Sequence, residues 1–442
     1  MARTLALRVQ QAGGCAYYVG GFVRDALMGR ENKDIDIELH GVTPAQAEAI
    51  LDSLGQRLTM GESFGIYGLK GYDIDIALPR KEKLRGVGHK DFDVFVDPFI
   101  GTQKAALRRD FTLNALMQEV LTGEIVDHFG GQADLKKGIL RHVNAETFAE
   151  DPLRVLRAAQ FAARFEFSVA PETIRLCRGM QLDALPRERI EGELKKALLK
   201  ARKPSVFFEI LRQMDQLHHW FPELEALMDV PQSPKYHAEG DVWTHTMLVL
   251  DQAALLRHRS ANPYWFMLSA LCHDFGKAVT TEFTKGAYHA YGHETAGIPL
   301  AEAFLGRITT ETKLMEYVVN LVELHMKPNT LAESKSLRKV TNKMFDQAID
   351  PEGLVSIALA DDRGRISQVP GEDPEEFLLQ RLGVFREIMA RPHVMGRDLI
   401  EAGLKPGPEF TEILAHAHKL RLAGIPKEDA LRQTLAFARK LK

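Results

Sequence analysis

The sequence lacks most of the features that would place it in a narrow structural class. Three cysteines in 442 residues (Cys15, Cys177 and Cys272) are too few and too far apart for a disulfide framework or a thiolate zinc site. Apolar runs are short and interrupted by charge, so none is long enough to span a bilayer. The opening MARTLALRVQQAGG carries Arg3 and Arg8 but only a brief apolar stretch, and it does not read as a signal peptide. A reducing cytoplasm is the expected location. No charge of one sign dominates: 57 Lys and Arg stand against 60 Asp and Glu, a net charge of −3. This excludes a chain coated in non-specific positive charge, yet local basic surfaces can still bind nucleic acid. There is no internal repeat and no low-complexity tract. At 45% hydrophobic and 26% charged, the chain has the make-up of a globular protein, with length for about three domains at roughly 150 residues each.

What is present changes character along the chain. Up to about residue 140, short alternating segments predict strands at Tyr17–Val19, Asp34–Leu39, Gly65–Lys70 and Tyr72–Leu78. Helices are expected from Val23 and over Thr43–Leu54, the latter capped by Thr43 and opened by Pro44. Pro79 to about Asp91 reads as a polar loop. From about residue 150, apolar residues at i, i+3, i+4 predict helices over 151–165, 171–180, 187–201 and 205–214. The stretch 222–240, rich in turn residues, reads as a connector; 242 to about 367 is again helical, and PGEDPEE (370–376) precedes a helical tail. The fold class expected is α+β: a small sheet domain followed by all-α domains. Basic clusters at 80–85, 104–110 and 188–203 read, one by one, as solvated faces.

Two constellations carry chemistry. In the first, Gly20 and Gly21 lie between a strand and a helix, where a backbone without Cβ can approach a phosphate at a helix N-terminus. Arg24, in the first turn, can reach the same phosphates. Asp34 and Asp36 sit two apart on one strand, so both carboxylates share a face opposite Ile35 and Ile37. Adjacent carboxylates repel unless a cation lies between them, and magnesium accepts one or two carboxylates with substrate phosphates. The plainer reading is a solvated acidic stripe. Asp75, in YDIDIAL, is a candidate third carboxylate, able to take a proton from an attacking hydroxyl.

YYVGGFVRDALMGRENKDIDIEL resembles the head of the tRNA nucleotidyltransferase and bacterial poly(A) polymerase family, within the DNA polymerase beta superfamily. LRRDFTLNAL (107–116), EDPLRVLRAAQFAARF (150–165) and PRERIEGELKKAL (186–198) resemble further family motifs, in family order. The resemblance implies that G-G-x-x-R-D binds nucleotide phosphates and that D-x-D holds catalytic magnesium. It makes Arg109 a nucleotide contact, with Asn114 at sugar or base. It gives the helix carrying Asp151, Arg154 and Arg157 the task of choosing the base. Asp151 can accept from an exocyclic amine and Arg154 can donate to a ring acceptor, the edge shared by cytosine and adenine. Arg157 would lean toward the triphosphate. An intrahelical pair of Asp151 with Arg154 is the bland alternative. One departure is visible: Gln160 stands where similar proteins often have Arg.

The second constellation comprises His245, His273, Asp274, His293, His325 and Asp361. Imidazoles and carboxylates with no ligating cysteine suit a divalent transition metal. Cys272 reads as core. The set resembles the HD phosphohydrolase domain, H…HD…D with extra histidines; the alternative is a helical RNA-binding domain with core histidines. The tail from 394 resembles the C-terminal segment of many family members, with Lys405, Lys419, Arg421 and Lys427 available to phosphate.

Together these resemblances imply a polymerase-beta-like catalytic head at 1–140, a nucleotide-selecting and RNA-binding region at 141–222, an HD domain at 223–369 and a helical tail at 370–442, a probable tRNA contact. The expected activity is addition of C and A to a tRNA 3′ end from CTP and ATP, with magnesium at the head and a transition metal at the HD site. The rivals are A-only, CC-only or poly(A) addition, a phosphohydrolase with a non-catalytic head, and a non-catalytic RNA-binding protein. CC-only enzymes of the family tend to have a short loop after the third carboxylate, and the segment Pro79–Asp97 is of fair length.

Overall fold

The structure, a computed structural model, describes residues 1–59, 65–84, 92–369 and 371–441. The chain folds into two compact units: Met1–Ala197 with Val206–His219, and Leu198–Ser205 with Trp220–Lys442. No helix among the described residues is long and apolar enough to cross a membrane.

The first unit is built on a seven-stranded mixed sheet. Its strands are β1 (Cys15–Val19), β2 (Ile35–His40), β3 (Arg57–Thr59), β4 (Ile66–Leu69), β5 (Ile74–Ala77), β6 (Met117–Glu119) and β7 (Ile125–Val126), in the spatial order β3-β4-β5-β2-β1-β6-β7. Within this sheet, among the described residues, only β2 and β5 pair in parallel. Alternation sends Ile37 and Leu39 of β2 and Ile74 and Ile76 of β5 to the side where Leu5, Val9, Val42, Leu51 and Tyr67 make a dry core. Each fully buried Leu or Ile there contributes about 1.5–3 kcal/mol. Leu5 and Val9 come from a helix over Ala2–Gln11, so the opening residues are part of this core. The helix Pro44–Leu54 starts as its sequence predicts, with Thr43 and Gln46 closing a capping box.

The stretch expected as a polar loop after Pro79 instead contains a two-stranded hairpin, Arg80–Leu84 with Phe92–Val96. Its backbone pairing overrides side chains that show no strand-like alternation in RKEKL. The part of that loop at 85–91 lies outside the described residues. Helices follow at Leu153–Phe165 (α1), Pro171–Arg178 (α2), Arg187–Lys200 (α3) and Ser205–Gln213 (α4).

The second unit is helical. Val242–Leu256 (α5) lies along Pro351–Gly364 (α9), and Pro263–Cys272 (α6) packs on Thr312–Leu324 (α8), itself against His293–Ile308 (α7). The α5 and α6 helices are apolar nearly all round, which is why they sit inside the bundle. One feature departs from the all-helical expectation: a short hairpin, Glu282–Thr284 with Ala287–His289. Further helices at Glu375–Ala390, Phe410–Leu422 and Lys427–Ala438 follow, and the latter two share a small core of Ile413, Ala417 and Ala430.

Candidate active sites

In the first unit, the parallel register of β2 and β5 sets Asp36 directly beside Asp75. Asp34 stands just before β2, on the same face as Asp36. The three carboxylates are thus gathered at one end of two neighbouring strands. Burial holds the Asp36 carboxyl above its ordinary range, opposed by Arg109 and assisted by the like charges of Asp75 and Asp34. Three carboxylates gathered in this way, with no imidazole or thiolate among them, suit a hard cation such as magnesium.

Arg109 approaches this face. It pairs with Glu38 at 3.6 Å, the next residue along the same side of β2, and Glu38 also meets Nε2 of His40 at 2.8 Å. Glu38 is buried; burial opposes its charge, but His40 and Arg109 hold its carboxyl below the usual range. The plainer reading, a solvated acidic stripe, does not extend along the strand, because the far end of β2 is covered. Glu38 was legible as the third acid of DIDIEL, in phase with Asp34 and Asp36. Gly20, at φ +67°, closes the turn from β1: a Cβ there would meet Arg109 Nη1 at 3.3 Å and Asp36 Oδ2 at 3.8 Å. The turn is thus pressed against the carboxylate site, as close backbone approach requires.

Arg24, expected at the phosphates, is placed in the interior and is 4% exposed. Its Nε and Nη2 bind Asp25, its Nη1 donates to Asn114 Oδ1 at 2.7 Å, and its guanidinium lies over the Phe161 and Phe165 rings. Asn114 in turn donates to Asp110 Oδ1 at 2.9 Å. Asp110 accepts from Arg157 Nε at 2.8 Å and pairs with its Nη2 at 2.7 Å. Burial opposes the Asp110 charge, but Arg157 and these hydrogen bonds keep the carboxyl below its usual range. The run Arg24–Asn114–Asp110–Arg157 is one polar chain, buried up to a half-buried Arg157, linking three of the sequence motifs.

Asp151 and Arg154, expected to choose the base, are arranged differently from the helical spacing of the sequence. The α1 helix begins at Leu153, so Asp151 lies before it, and its Oδ1 accepts from the Leu153 N–H at 3.1 Å. Asp151 pairs with Arg189 of α3 at 3.0 Å. Arg154 donates to the carbonyls of Thr147 at 2.6 Å and Arg108 at 2.7 Å. Arg189, inside the quoted PRERIEGELKKAL, was passed over as a site residue. Gln160 is 1% exposed and its Nε2 has no partner; nothing in the structure explains its presence there.

The second unit brings all six expected residues together. His245, His273 and Asp361 form one group of ligand atoms within 4.8 Å of one another, and Asp274, His293 and His325 form another. The histidines are held alike. Nδ1 of His273, His293 and His325 donates to a carbonyl three residues earlier, those of Ala270 (2.8 Å), Ala290 (2.7 Å) and Val322 (2.6 Å). Nδ1 of His245 meets Glu239 at 3.0 Å. In a neutral ring, a proton on Nδ1 leaves Nε2 a lone pair directed inward, the arrangement of metal-ligating imidazoles. His273 Nε2 is buried with no hydrogen-bond partner meeting full geometry among the described residues, and Asp274 Oδ2 lies 3.2 Å from it and 2.7 Å from Lys277 Nζ. Inward-facing nitrogen and oxygen donors of this kind fit a borderline divalent metal.

Charges follow the geometry. Burial opposes charge on Asp361, but His245 and His273 hold its carboxyl far below the usual range. Asp274 behaves likewise through His273 and Lys277. Burial, with His273 and His293 beside it, pushes His325 down to about 3. Gly276 makes the assembly fit: a Cβ there would lie 2.0 Å from the His293 carbonyl oxygen, so only glycine lets α7 reach the site. Cys272 is buried in the core, and burial raises its thiol well above the ordinary range.

Glu239 and His237, within the stretch read as a mere connector, belong to this site. Glu239 accepts from His237 at 2.8 Å as well as facing His245. The signal was an H-x-E whose Glu stands six residues before His245. Asp274, His293 and Asp361 open onto a cleft of about 300 Å³, lined among others by His237, Lys277, Tyr288, Tyr291 and Arg365.

Comparison with known proteins accords with both halves. The model of the poly A polymerase head domain matches residues 16–141, that of the probable RNA- and SrmB-binding site of polymerase A matches 166–228, and that of the HD domain matches 242–363. A multifunctional CCA protein of Halorhodospira halophila is 35% identical over 94% of this chain and 98% of its own. One of Nitrosococcus oceani is 38% identical over 88% of this chain and 93% of its own. Among solved structures, a CCA-adding enzyme with ATP superposes with a TM-score of 0.68 at 22% identity, covering 99% of this chain and 93% of that one. The Thermotoga maritima CCA-adding enzyme complexed with tRNA gives 0.66 at 21%, covering 99% and 94%; at such identity these two establish the fold alone. With its head, its HD domain and nearly its whole length shared with these relatives, the chain belongs to the multifunctional CCA protein family of nucleotidyltransferases.

Proposed function

We propose that the chain adds C and A residues to the 3′ end of tRNA from CTP and ATP, with release of pyrophosphate. The observation that carries this reading is the juxtaposition of Asp36 with Asp75, flanked by Asp34 and faced by Arg109 and the Gly20 turn. Asp34 and Asp36 are the residues to hold magnesium, which when bound activates the terminal hydroxyl and neutralises the leaving pyrophosphate. Asp75 takes the proton of the attacking hydroxyl. The Gly20–Gly21 backbone, Arg109 and Arg157 orient the triphosphate, while Arg24 holds the turn through Asp25 and Asn114. Asp151 and Arg154 select the base: Asp151 accepts the exocyclic amine common to C and A, and Arg154 retains N–H groups beyond the two it spends on carbonyls. The names of the relatives and of the solved complexes with ATP, CTP and tRNA support the same reading. Purified protein given tRNAs lacking one, two or three terminal nucleotides, with each triphosphate separately, tests it. Ordered incorporation of two C and one A is expected; incorporation of A alone, C alone or an A tract would replace it with the corresponding narrower activity.

A second activity rests on a separate observation, the inward lone pairs of four fixed imidazoles beside two charged carboxylates. The second unit is a metal-dependent phosphohydrolase. A divalent transition metal there would supply a nucleophile from water at neutral pH. Lys277 and Arg365 in the cleft wall provide cations for the phosphoester. The residues 141–222 serve nucleotide and RNA, and the tail from 370 contacts tRNA.

A further inference from the structure

Resting on the reading that the head adds nucleotides, we propose that Glu38 is a positioning residue for that reaction, holding the Arg109 guanidinium beside the three carboxylates, toward the triphosphate and out of the place of the metal.

Glu38 stands two residues after Asp36 on β2, so its side chain leaves the same face of the strand. It is nevertheless closed to a cation. It is 3% exposed, its Oε1 meets His40 Nε2 at 2.8 Å, and its Oε2 faces Arg109 Nη2 at 3.6 Å. A buried carboxylate is tolerated only with such partners. His40 fixes one oxygen and thereby aims the other at Arg109.

Arg109 arrives from another element. It follows the helix Thr102–Leu107, its N–H donates to the Ala106 carbonyl at 3.0 Å, and its side chain reaches across to β2. Nη1 lies 3.3 Å from the point where a Gly20 Cβ would stand, and Asp36 Oδ2 lies 3.8 Å from the same point. The guanidinium therefore has Glu38 at one edge and the Gly20 turn, beside Asp36, at the other. Among the described residues it makes its ion pair with Glu38 and none with Asp34, Asp36 or Asp75.

The carboxylate cluster attracts this arginine. Burial raises the Asp36 carboxyl, and the charge of Arg109 opposes that rise. A long cationic side chain without an anchor would settle on Asp36, cancel its charge and compete with magnesium for a ligand. Glu38 supplies a rival anion one step deeper, where the low local dielectric strengthens the attraction. It engages Nη2 and leaves Nη1 at the turn. Support from behind narrows the positions open to a binding group and so preorganises it.

A double-mutant cycle tests whether Glu38 acts through Arg109. Full-length parent, Glu38→Gln, Arg109→Ala and Glu38→Gln/Arg109→Ala are compared for equilibrium binding of magnesium-ATP, and for kcat and KM for ATP on tRNA lacking only its terminal A. Glu38→Gln should raise Kd and KM about 10-fold, change kcat by less than about 3-fold, and raise the magnesium needed for half-maximal rate. In the Arg109→Ala background the same substitution should change none of these, because the group it acts through is gone. Millimolar guanidinium ion should restore ATP binding to Arg109→Ala and not to the double variant. Unchanged constants in Glu38→Gln would overturn the inference. So would an equal effect in both backgrounds, or a fall in kcat with KM unchanged, either of which would make Glu38 a structural part of the sheet. A parent that binds ATP but does not extend tRNA would overturn the nucleotide-addition reading, while the binding constants would still decide whether Glu38 positions Arg109. Cooperative thermal unfolding checks each variant, with Glu38→Asp, which draws the charge back by one methylene, replacing Glu38→Gln should that variant fail to fold.

Discussion

The two candidate sites are made of opposite materials. The head gathers oxygen: two carboxylates from one strand end and a third from its parallel neighbour, brought together by one register. The helical unit gathers nitrogen: four imidazoles from α5, α7 and the residues ending α6 and α8, each fixed through Nδ1. The first set suits a hard ion that arrives with its substrate's phosphates, the second a resident borderline ion. The sites also differ in what holds them. Asp36 is raised first by burial and further by its neighbours' like charge, a state a cation relieves, whereas histidines around Asp361, and His273 with Lys277 around Asp274, keep those carboxylates ionised against burial. On the proposed reading, donor type alone keeps the two phosphoryl chemistries apart.

The sharpest break in this comparison is expected at Asp36. Asp36→Ala should lower nucleotide addition on the order of 10³-fold or more, with the cobalt content of the second unit unchanged. A smaller loss, or a change in cobalt, would show that the oxygen set is not a self-contained site.

Next in size is Asp110, the buried link between Asn114 and Arg157. Asp110→Ala leaves Arg157 without its main partner and should cost about 3–5 kcal/mol in denaturant unfolding. The pH dependence has a definite sign. The folded pKa lies below the unfolded value of about 3.9. The stabilisation is therefore full above the unfolded value and is lost as pH falls through the folded one. The parent should lose stability on acidification more steeply than Asp110→Ala; parallel curves would assign the lowered pKa no role.

On the nitrogen side, Glu239→Gln weakens the acceptor that orients His245 and should lower cobalt affinity about 10–100-fold, read by competition with a chelating dye. Unchanged affinity would make Glu239 a connector contact only. The smallest effect is expected for Arg189→Ala. The pair with Asp151 is partly exposed, so unfolding should shift by about 0–1 kcal/mol. Discrimination against UTP and GTP should nonetheless fall, because Asp151 loses its anchor. Intact discrimination would take Arg189 out of base selection.

The oxygen site was largely legible because its information is local. DIDIEL declares a strand and a shared face, and the Gly-Gly turn declares a close approach. What could not be read was the register that makes Asp75 the neighbour of Asp36, or the covering of Glu38, since both depend on distant strands and on Arg109. The nitrogen site was legible by residue type, but its division into two groups of ligand atoms exists only in three dimensions. Errors fell where local pattern and tertiary context disagree. RKEKL carries no alternation yet forms a strand by backbone pairing. Asp151 continues a helical spacing yet stands before the helix, capped onto Leu153. The turn-rich segment before residue 240 looks like a linker because ligand-orienting residues such as Glu239 need no periodicity.

The most direct test of the account is a double dissociation in the full-length protein. Nucleotide addition to tRNA lacking its terminal CCA, with magnesium, CTP and ATP, is measured beside hydrolysis of a phosphodiester with cobalt, for Asp36→Ala and for His273→Ala/Asp274→Ala. Asp36→Ala should abolish addition and spare hydrolysis, and the HD double variant should do the reverse. Loss of both activities in either folded variant would contradict two chemically separate sites.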